Sequence, residues 1–187
     1  MASKDLYIIP ECYVDTNMVE TLLNSFGSIT AGVNHQKGCN NVTKILREKF
    51  KGQFGIGIVD NDKEKTGIIV DCKKIWESKH IAVLKHPDEN HYVFAIKPAM
   101  DMFILDSAAE QGVNLNEIGF PDNLKKFTDI TKRITSKDDA KIKNLIKAIR
   151  NNAEIKAFAN ALVYLKTNQG SSDENIVKDF FLSVAVD

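Results

Sequence analysis

The sequence predicts an α/β protein: a small, mainly parallel sheet flanked by helices, with a hairpin and a helical C-terminal region. Three observations favour this class. Short apolar runs typical of buried strands alternate with segments whose apolar residues recur every three or four positions, as in amphipathic helices. From residue 121 onward only the helical period persists. The 187 residues are 43% hydrophobic and 27% charged, as in globular chains that bury a core without disulfides or a structural metal.

Strand and helix patterns alternate in the N-terminal part of the chain. Residues 6–9 are an apolar run that predicts a first strand, and the apolar residues of 15–26 recur as in a helix. Residues 28–33 predict a weak second strand, and Gly38 opens a second helix. Residues 54–59 predict a third strand. Its two glycines would weaken a strand interior, which indicates that another element packs closely against it.

Beyond residue 62 the pattern predicts a hairpin followed by helices. Residues 73–76 suit a short helical turn. Segments 81–84 and 92–96 are the two hairpin strands, because the Pro, Asp and Asn residues between them suit a tight reversal. Residues 99–111 form an amphipathic helix that stops at a glycine.

The chain is predicted to divide into an α/β domain at 1–112 and a helical extension at 113–187 packed on the same core. Its 25 basic and 25 acidic residues cancel, which excludes a protein that coats a polyanion with its whole surface. The charges are not evenly distributed along the chain. Residues 1–120 hold 13 basic and 16 acidic residues, whereas residues 121–187 hold 12 basic and 9 acidic residues. A nucleic acid held at one place stays compatible with this distribution.

Cysteine spacing and apolar runs predict the compartment. Cys12, Cys39 and Cys72 are odd in number and widely spaced, so they form neither a disulfide framework nor a CxxC zinc motif, and we expect reduced thiols. Residues 1–5 do not begin a signal peptide, and no run approaches the roughly 18 apolar residues of a membrane span. We therefore expect a cytoplasmic protein without membrane contacts.

Acidic residues follow two of the predicted strands. Glu11 comes after the first strand, and Asp60 and Asp62 come after the third. Ligands bind outside the carboxyl ends of parallel strands, where neighbouring carboxylates repel each other unless a cation lies between them. The alternative is an ordinary solvated turn, in which Asp and Asn are common. Asp101 and Asp106 could each add an acid to this crevice, but surface positions are the simpler expectation.

Three short segments match the motifs of a known domain in order and spacing. Residues 8–15 read IIPECYVD, Gly38 opens a helix, and residues 57–62 read GIVDND. Together they resemble the TOPRIM domain, which topoisomerases, bacterial primases, recombination proteins and the nuclease half of the overcoming-lysogenization-defect family share. Its pattern is a glutamate after the first strand and Asp-x-Asp after the third, with an aspartate four residues after the glutamate in the nuclease branch. The resemblance spans residues 5–105.

The resemblance implies a role for each matching acid. Glu11 would be a general acid or base or a metal ligand, Asp60 and Asp62 would hold Mg²⁺ or Mn²⁺, and Asp15 would be a second-site ligand. Asp15 also occupies a position where a helix N-cap is expected, which offers a purely structural reading. The sequence departs from the family pattern at Cys12, where glycine is usual. No ATPase domain is visible, so a protein partner could supply ATPase or targeting function.

Two basic segments are candidate substrate contacts. His35, Lys37 and Gly38 precede a helix whose amino terminus could receive a phosphate, although an ordinary loop is the alternative. A helical face further along also carries basic residues at a spacing that could meet a phosphate backbone: Lys143, Lys147 and Arg150. Such a face more commonly serves only to keep a helix solvated.

These observations predict a function and two alternatives. The leading prediction is TOPRIM-like, Mg²⁺- or Mn²⁺-dependent phosphoryl transfer on nucleic acid, as in a nuclease, with Glu11, Asp60 and Asp62 as catalytic residues. The first alternative is a non-catalytic protein that keeps the fold and binds a partner. The second is a nucleotide-binding module that uses the loop around Lys37 and Gly38.

Overall fold

The computed structural model describes residues 3–61 and 68–184, and the strands in these ranges form one five-stranded mixed sheet. The strands lie in the order β1-β2-β5-β4-β3. Their bounds are β1 (Ile8–Pro10), β2 (Gly55–Asp60), β3 (Lys73–Glu77), β4 (Ile81–Lys85) and β5 (His91–Ile96). The α-helices are α1 (Tyr13–Ser25), α2 (Cys39–Lys49), α3 (Ile68–Asp71), α4 (Met100–Glu110), α5 (Leu124–Thr131), α6 (Ala140–Ile149), α7 (Ala153–Asn168) and α8 (Glu174–Asp179). Two 3₁₀ helices cover Ile134–Lys137 and Gln169–Ser171.

The α/β class is confirmed, whereas the mainly parallel character of the sheet is not. The pairings of β1 with β2 and of β2 with β5 are parallel, but those of β5 with β4 and of β4 with β3 are antiparallel. The predicted hairpin is present, and it lies within the sheet instead of beside it. Its second strand, β5, therefore pairs with β2 on one side and with β4 on the other.

Two local predictions were wrong. Residues 28–33 contribute only an isolated parallel bridge between Asp5 and Val33, and Gly32 in this segment has a φ of 135°, outside the strand range. Residues 73–76 belong to the edge strand β3 and not to a helical turn. Pairing with β4 overrides their weak helical period, and the exposed Lys73 and Lys74 suit an edge strand because their charges discourage pairing with another chain.

The two glycines of β2 allow α2 to pack directly on the sheet, as the sequence predicted. A Cβ atom at Gly55 would lie 2.6 Å from Cδ2 of Leu46 and 3.2 Å from Cδ2 of His91. A Cβ atom at Gly57 would lie 3.1 Å from Cδ1 of Leu46 and 3.2 Å from Cγ1 of Val42. A side chain at either position would push the helix away from the strand that carries Asp60.

We expect Gly55→Ala to lower the free energy of unfolding by about 1–3 kcal/mol, because the methyl group overpacks a filled core. Urea denaturation measures the loss. Gly170→Ala is the matched control, since its Cβ would meet only the amide of Asn90 at an ordinary 3.6 Å. Equal stability of the two variants would contradict the close approach of α2 to β2.

The sheet has an apolar cluster on each face. The smaller cluster packs α2 and α3 against the sheet. The larger one joins sheet residues such as Ile8 and Phe94 to residues of the C-terminal helices, such as Ile146 and Phe158. The rings of Phe94 and Phe158 meet edge to face with centroids 5.0 Å apart. The helices after residue 121 therefore cover the sheet face that also packs against α1 and α4.

Across residues 3–61 and 68–184, every helix is too short or too polar to cross a bilayer.

Candidate functional site

Four acidic side chains interact at the carboxyl end of the parallel strands. Glu11 follows β1, and Asp60 is the last residue of β2. Asp15 lies in the first turn of α1, and Asp101 lies in the first turn of α4, the helix that follows β5. Because β1, β2 and β5 are adjacent and parallel, the chain leaves all three strands at the same edge of the sheet. This edge is where an open α/β sheet binds its ligands.

Hydrogen bonds connect the acids that follow the two strands. The backbone N–H of Asp60 donates to Oε2 of Glu11 at 2.9 Å. The carboxylate of Asp60 in turn accepts through Oδ1 from the backbone N–H of Met100 at 3.0 Å, at the start of α4. Glu11 and Asp60, which the sequence placed after different strands, are therefore direct neighbours.

The two acids on the helices are held in a similar way. Oδ2 of Asp15 accepts from the backbone N–H of Cys12 at 3.0 Å, and Oδ2 of Asp101 accepts from the hydroxyl of Thr128 at 3.0 Å. The second oxygen of each carboxyl group, Oδ1, is buried and has no hydrogen-bond partner among the described residues. Asp15 is 0% exposed, so bulk solvent does not reach this carboxyl group. Such a group is costly unless a proton or a cation compensates it.

Burial and mutual repulsion raise the pKa values of two carboxyl groups in this cluster, Asp15 and Asp60. Burial raises the pKa of Asp15 most, the hydrogen bonds of Cys12 oppose the shift, and the charges of Glu11 and Asp101 add to it. Burial likewise raises the pKa of Asp60, and Asp15 reinforces the shift against the hydrogen bond from Met100. Protons therefore compensate part of the cluster when no cation is bound.

The donor set suits a hard divalent cation. Carboxylate oxygens are the protein ligands that Mg²⁺ and Mn²⁺ prefer, and the unpartnered Oδ1 atoms of Asp15 and Asp101 retain their capacity to accept. Within residues 3–61 and 68–184, however, no three His, Cys, Asp or Glu side chains are already arranged around one ion position. Metal binding would therefore displace protons from the cluster and draw its carboxylates together.

Of the predicted metal ligands, Asp62 lies outside the described residues, and Asp15 differs from the sequence-based expectation in its helical position. Asp15 was given an alternative role as N-cap, and that assignment was wrong because α1 begins at Tyr13 and its N-cap is Cys12. Asp15 is the third helical residue, where its carboxylate can reach back to the N–H of Cys12.

The predicted substrate loop borders the cluster. The N–H of Gly38, whose φ is 86°, donates to the carbonyl of Glu11 at 3.3 Å. His35 stacks on Tyr13 with ring centroids 4.4 Å apart, and Nζ of Lys37 lies 5.9 Å from the centroid of the same tyrosine. The loop therefore brings aromatic and basic groups beside the residue that follows β1.

The second basic segment behaves as a solvated helix face. Ile142, Leu145, Ile146 and Ile149 form the buried stripe of α6. On the remaining surface Lys147 and Arg150 are exposed, and Lys143 is half-buried with its Nζ 3.8 Å from Oδ1 of Asp138. The contribution of these three residues to substrate binding stays a prediction.

For Asp101, sequence reasoning allowed a role as an additional acid of this crevice but favoured a surface position. A signal was present, because Asp101 follows a buried strand within five residues, near the start of a helix, as Asp15 does. Asp106, the other candidate on this helix, points elsewhere, since its Oδ2 lies 2.9 Å from Nε2 of His80 and 3.3 Å from Nζ of Lys79.

Comparisons with known proteins add no assignment. No family model, no curated protein and no solved structure matches this chain. A functional proposal must therefore rest on the geometry and chemistry of the acidic cluster.

Proposed function

We propose that this protein catalyses Mg²⁺- or Mn²⁺-dependent phosphoryl transfer on nucleic acid, most simply the cleavage of a phosphodiester bond. The observation that carries the proposal is the fully buried carboxyl group of Asp15. Its Oδ1 has no hydrogen-bond partner among the described residues, and it interacts electrostatically with Glu11, Asp60 and Asp101. The capping hydrogen bond from Cys12 uses only Oδ2 of Asp15, so it leaves the second oxygen of a buried carboxylate uncompensated, which is costly.

The order of the acids supports a TOPRIM-like site. A glutamate after the first strand and an aspartate at the end of the adjacent parallel strand match the motif order on which the resemblance rests. Asp62 would complete the Asp-x-Asp pair. The ligands we propose for the cation are Glu11, Asp15, Asp60, Asp62 and, in addition, Asp101.

The proposed chemistry divides between the cation and the side chains. When bound, the cation would neutralise phosphodiester charge and lower the pKa of a bound water. Glu11, oriented by the N–H of Asp60, would accept or return the proton of the attacking group. The N–H of Met100 and the hydroxyl of Thr128 fix the orientations of Asp60 and Asp101, which reduces the reorganisation that metal binding requires.

A Mn²⁺ titration followed by thermal melting tests the proposal together with a plasmid-nicking assay. At a Mn²⁺ concentration of about 100 times Kd, binding should stabilise the protein by about 2.7 kcal/mol, and cleavage should require the metal. Asp15→Asn should abolish the Mn²⁺-dependent shift, whereas Asp129→Asn, at an exposed position, should retain it. Absence of both shift and cleavage in the wild type would favour a non-catalytic binding protein, and a shift with a nucleotide alone would favour a nucleotide-binding module.

A further inference from the structure

Two lysines from distant parts of the chain lie beside the residues around His35. Nζ of Lys37 is 5.9 Å from the ring centroid of Tyr13, and Lys137 follows Ser136, whose carbonyl accepts from Asn17 on α1. Burial lowers the pKa of His35 most, and the charges of Lys137 and Lys37 lower it further, against the hydrogen bond to the carbonyl of Cys12. Lys37 belongs to the loop before α2, and Lys137 ends the 3₁₀ helix of the C-terminal region. The two lysines thus place positive charge next to an otherwise acidic site, and the lowered pKa keeps His35 neutral.

The positions of both lysines are fixed through their backbone neighbours. The N–H of Gln36 donates to the carbonyl of Pro10 at 2.9 Å, which holds the loop along the end of β1. On the other side, the buried amide of Asn17 donates from Nδ2 to the carbonyl of Ser136 at 2.7 Å. Asn17 lies on α1 two residues after Asp15, so Lys137 is anchored to the helix that carries one of the acids.

An aromatic pair, Tyr13 and His35, lies beside Lys37. The rings of Tyr13 and His35 are nearly parallel, with an interplanar angle of 19°. Nδ1 of His35 lies 3.2 Å from the carbonyl oxygen of Cys12 and 3.0 Å from Oγ1 of Thr16, so this nitrogen carries the proton that it donates. Nε2 of His35 is buried and has no hydrogen-bond partner in the described ranges. Because Nδ1 carries the ring proton, His35 is neutral, and the two lysines supply the positive charge of this surface.

We infer that Tyr13, His35, Lys37 and Lys137 form the surface that receives a single-stranded nucleic acid next to the carboxylates, an inference that rests on the proposed function. A cluster of acids repels a phosphate backbone, so a substrate needs cationic side chains on its path to the site. Stacked aromatic rings beside such cations are the usual platform for unpaired bases. The C-terminal region would thus contribute through Lys137, and the exposed face of α6 would not be required.

Fluorescence anisotropy with a labelled single-stranded oligonucleotide in EDTA tests this surface without cleavage. The Lys37→Gln/Lys137→Gln variant should bind about tenfold more weakly, and the slope of log K against log salt should fall by roughly 1.4, or 0.7 for each lost phosphate contact. The matched control is Lys49→Gln/Lys51→Gln, at two exposed positions by the far end of α2, which should bind as the wild type does. Tyr13→Leu should weaken binding while leaving the salt slope unchanged, since stacking releases no counterions.

Each outcome bears on one claim only. Wild-type affinity and slope in the Lys37/Lys137 variant, or an equal loss in the Lys49/Lys51 control, would overturn the assigned surface. The Mn²⁺-dependent melting shift of the Lys37/Lys137 variant should equal that of the wild type, because neither lysine is a proposed ligand. If the wild type binds the oligonucleotide but shows no Mn²⁺-dependent melting shift, the proposed function is contradicted and the assigned binding surface is still supported.

Discussion

Replacing Asp60 by Asn should abolish metal-dependent cleavage and, in the same protein, raise the metal-free melting temperature at alkaline pH. The amide keeps an oxygen that can accept from the N–H of Met100 but removes a charge that the cation requires. Loss of a residue that merely orients a ligand typically costs 10- to 100-fold, so loss of a ligand should cost at least about 100-fold in cleavage rate. Nicking assays with Mn²⁺ and melting curves in EDTA measure the two effects.

The gain in stability follows from the direction in which the two pKa values move. Burial, with repulsion from neighbouring acids, raises the pKa of Asp60 and of Asp15 in the folded protein. Their protons thus bind more tightly when the chain is folded. The free energy of unfolding should fall as the pH rises from about 4, the ordinary carboxyl pKa, to the raised pKa values of the folded protein. Across that interval each of the two carboxyl groups should lower the free energy of unfolding by about 1.4 kcal/mol per pH unit. Asp60→Asn removes one of these titrations and should flatten the profile.

His80 is one of the histidines that contribute to the same pH profile. Hydrogen bonds with Glu154 and Asp106 raise the pKa of His80, although burial alone would lower it. Its stabilising contribution is complete below about pH 6.5 and is lost as the pH rises through the raised value. The difference between the wild type and Asp60→Asn, not the wild-type profile, therefore isolates the cluster. Identical profiles for the two proteins would contradict the proton-compensated site.

The neighbouring positions of Glu11 and Asp60 could be predicted because they depend only on strand order along the chain and on the parallel direction of two strands. Each acid follows an apolar strand, and two strands that run parallel in one sheet end at the same edge. Asp101 could not be placed in this way. Its position requires β5 to lie next to β2, and the hairpin pattern fixes only the pairing of β5 with β4.

Contacts between the two parts of the chain were beyond the reach of sequence patterns. Lys137 is held near α1 because the amide of Asn17 donates to the carbonyl of the preceding residue, Ser136. A polar residue in an amphipathic helix gives no periodic signal for such a partner. His80 and Glu154 are 74 residues apart, and the sequence offers each as an ordinary polar residue. Their pairing depends on how α7 packs across the sheet.

Glu154 is the centre of the most extensive buried polar network in the described part of the chain. Its Oε1 accepts from the backbone N–H groups of His80 at 2.8 Å and Ile81 at 3.1 Å, and from the hydroxyl of Ser78. Its Oε2 lies 2.8 Å from Nδ1 of His80, and Nε2 of His80 lies 2.9 Å from Oδ2 of Asp106 on α4. One carboxylate thus joins α7 to the turn before β4 and, through His80, to α4.

We expect Glu154→Leu to lower the free energy of unfolding by about 3–5 kcal/mol, the usual cost of removing one partner from a buried ionic pair. The apolar side chain would leave two backbone N–H groups and a charged imidazole without their acceptor. Urea denaturation at neutral pH measures the loss. Glu154→Gln should cost less, because its amide oxygen can still accept from the backbone of His80 and Ile81.

Two controls distinguish loss of the Glu154 network from the loss of any glutamate in a helix. Glu48→Ala, at an exposed position of α2, should change stability by no more than about 0.5 kcal/mol. Because hydrogen bonds with His80 and Ser78 lower the pKa of Glu154 against the effect of burial, the network needs an ionised carboxylate. The stability difference between wild type and Glu154→Gln should therefore shrink as the pH falls through the pKa of Glu154. A constant difference across that range would show that hydrogen-bond geometry alone, without the charge, stabilises the junction of α7, β4 and α4.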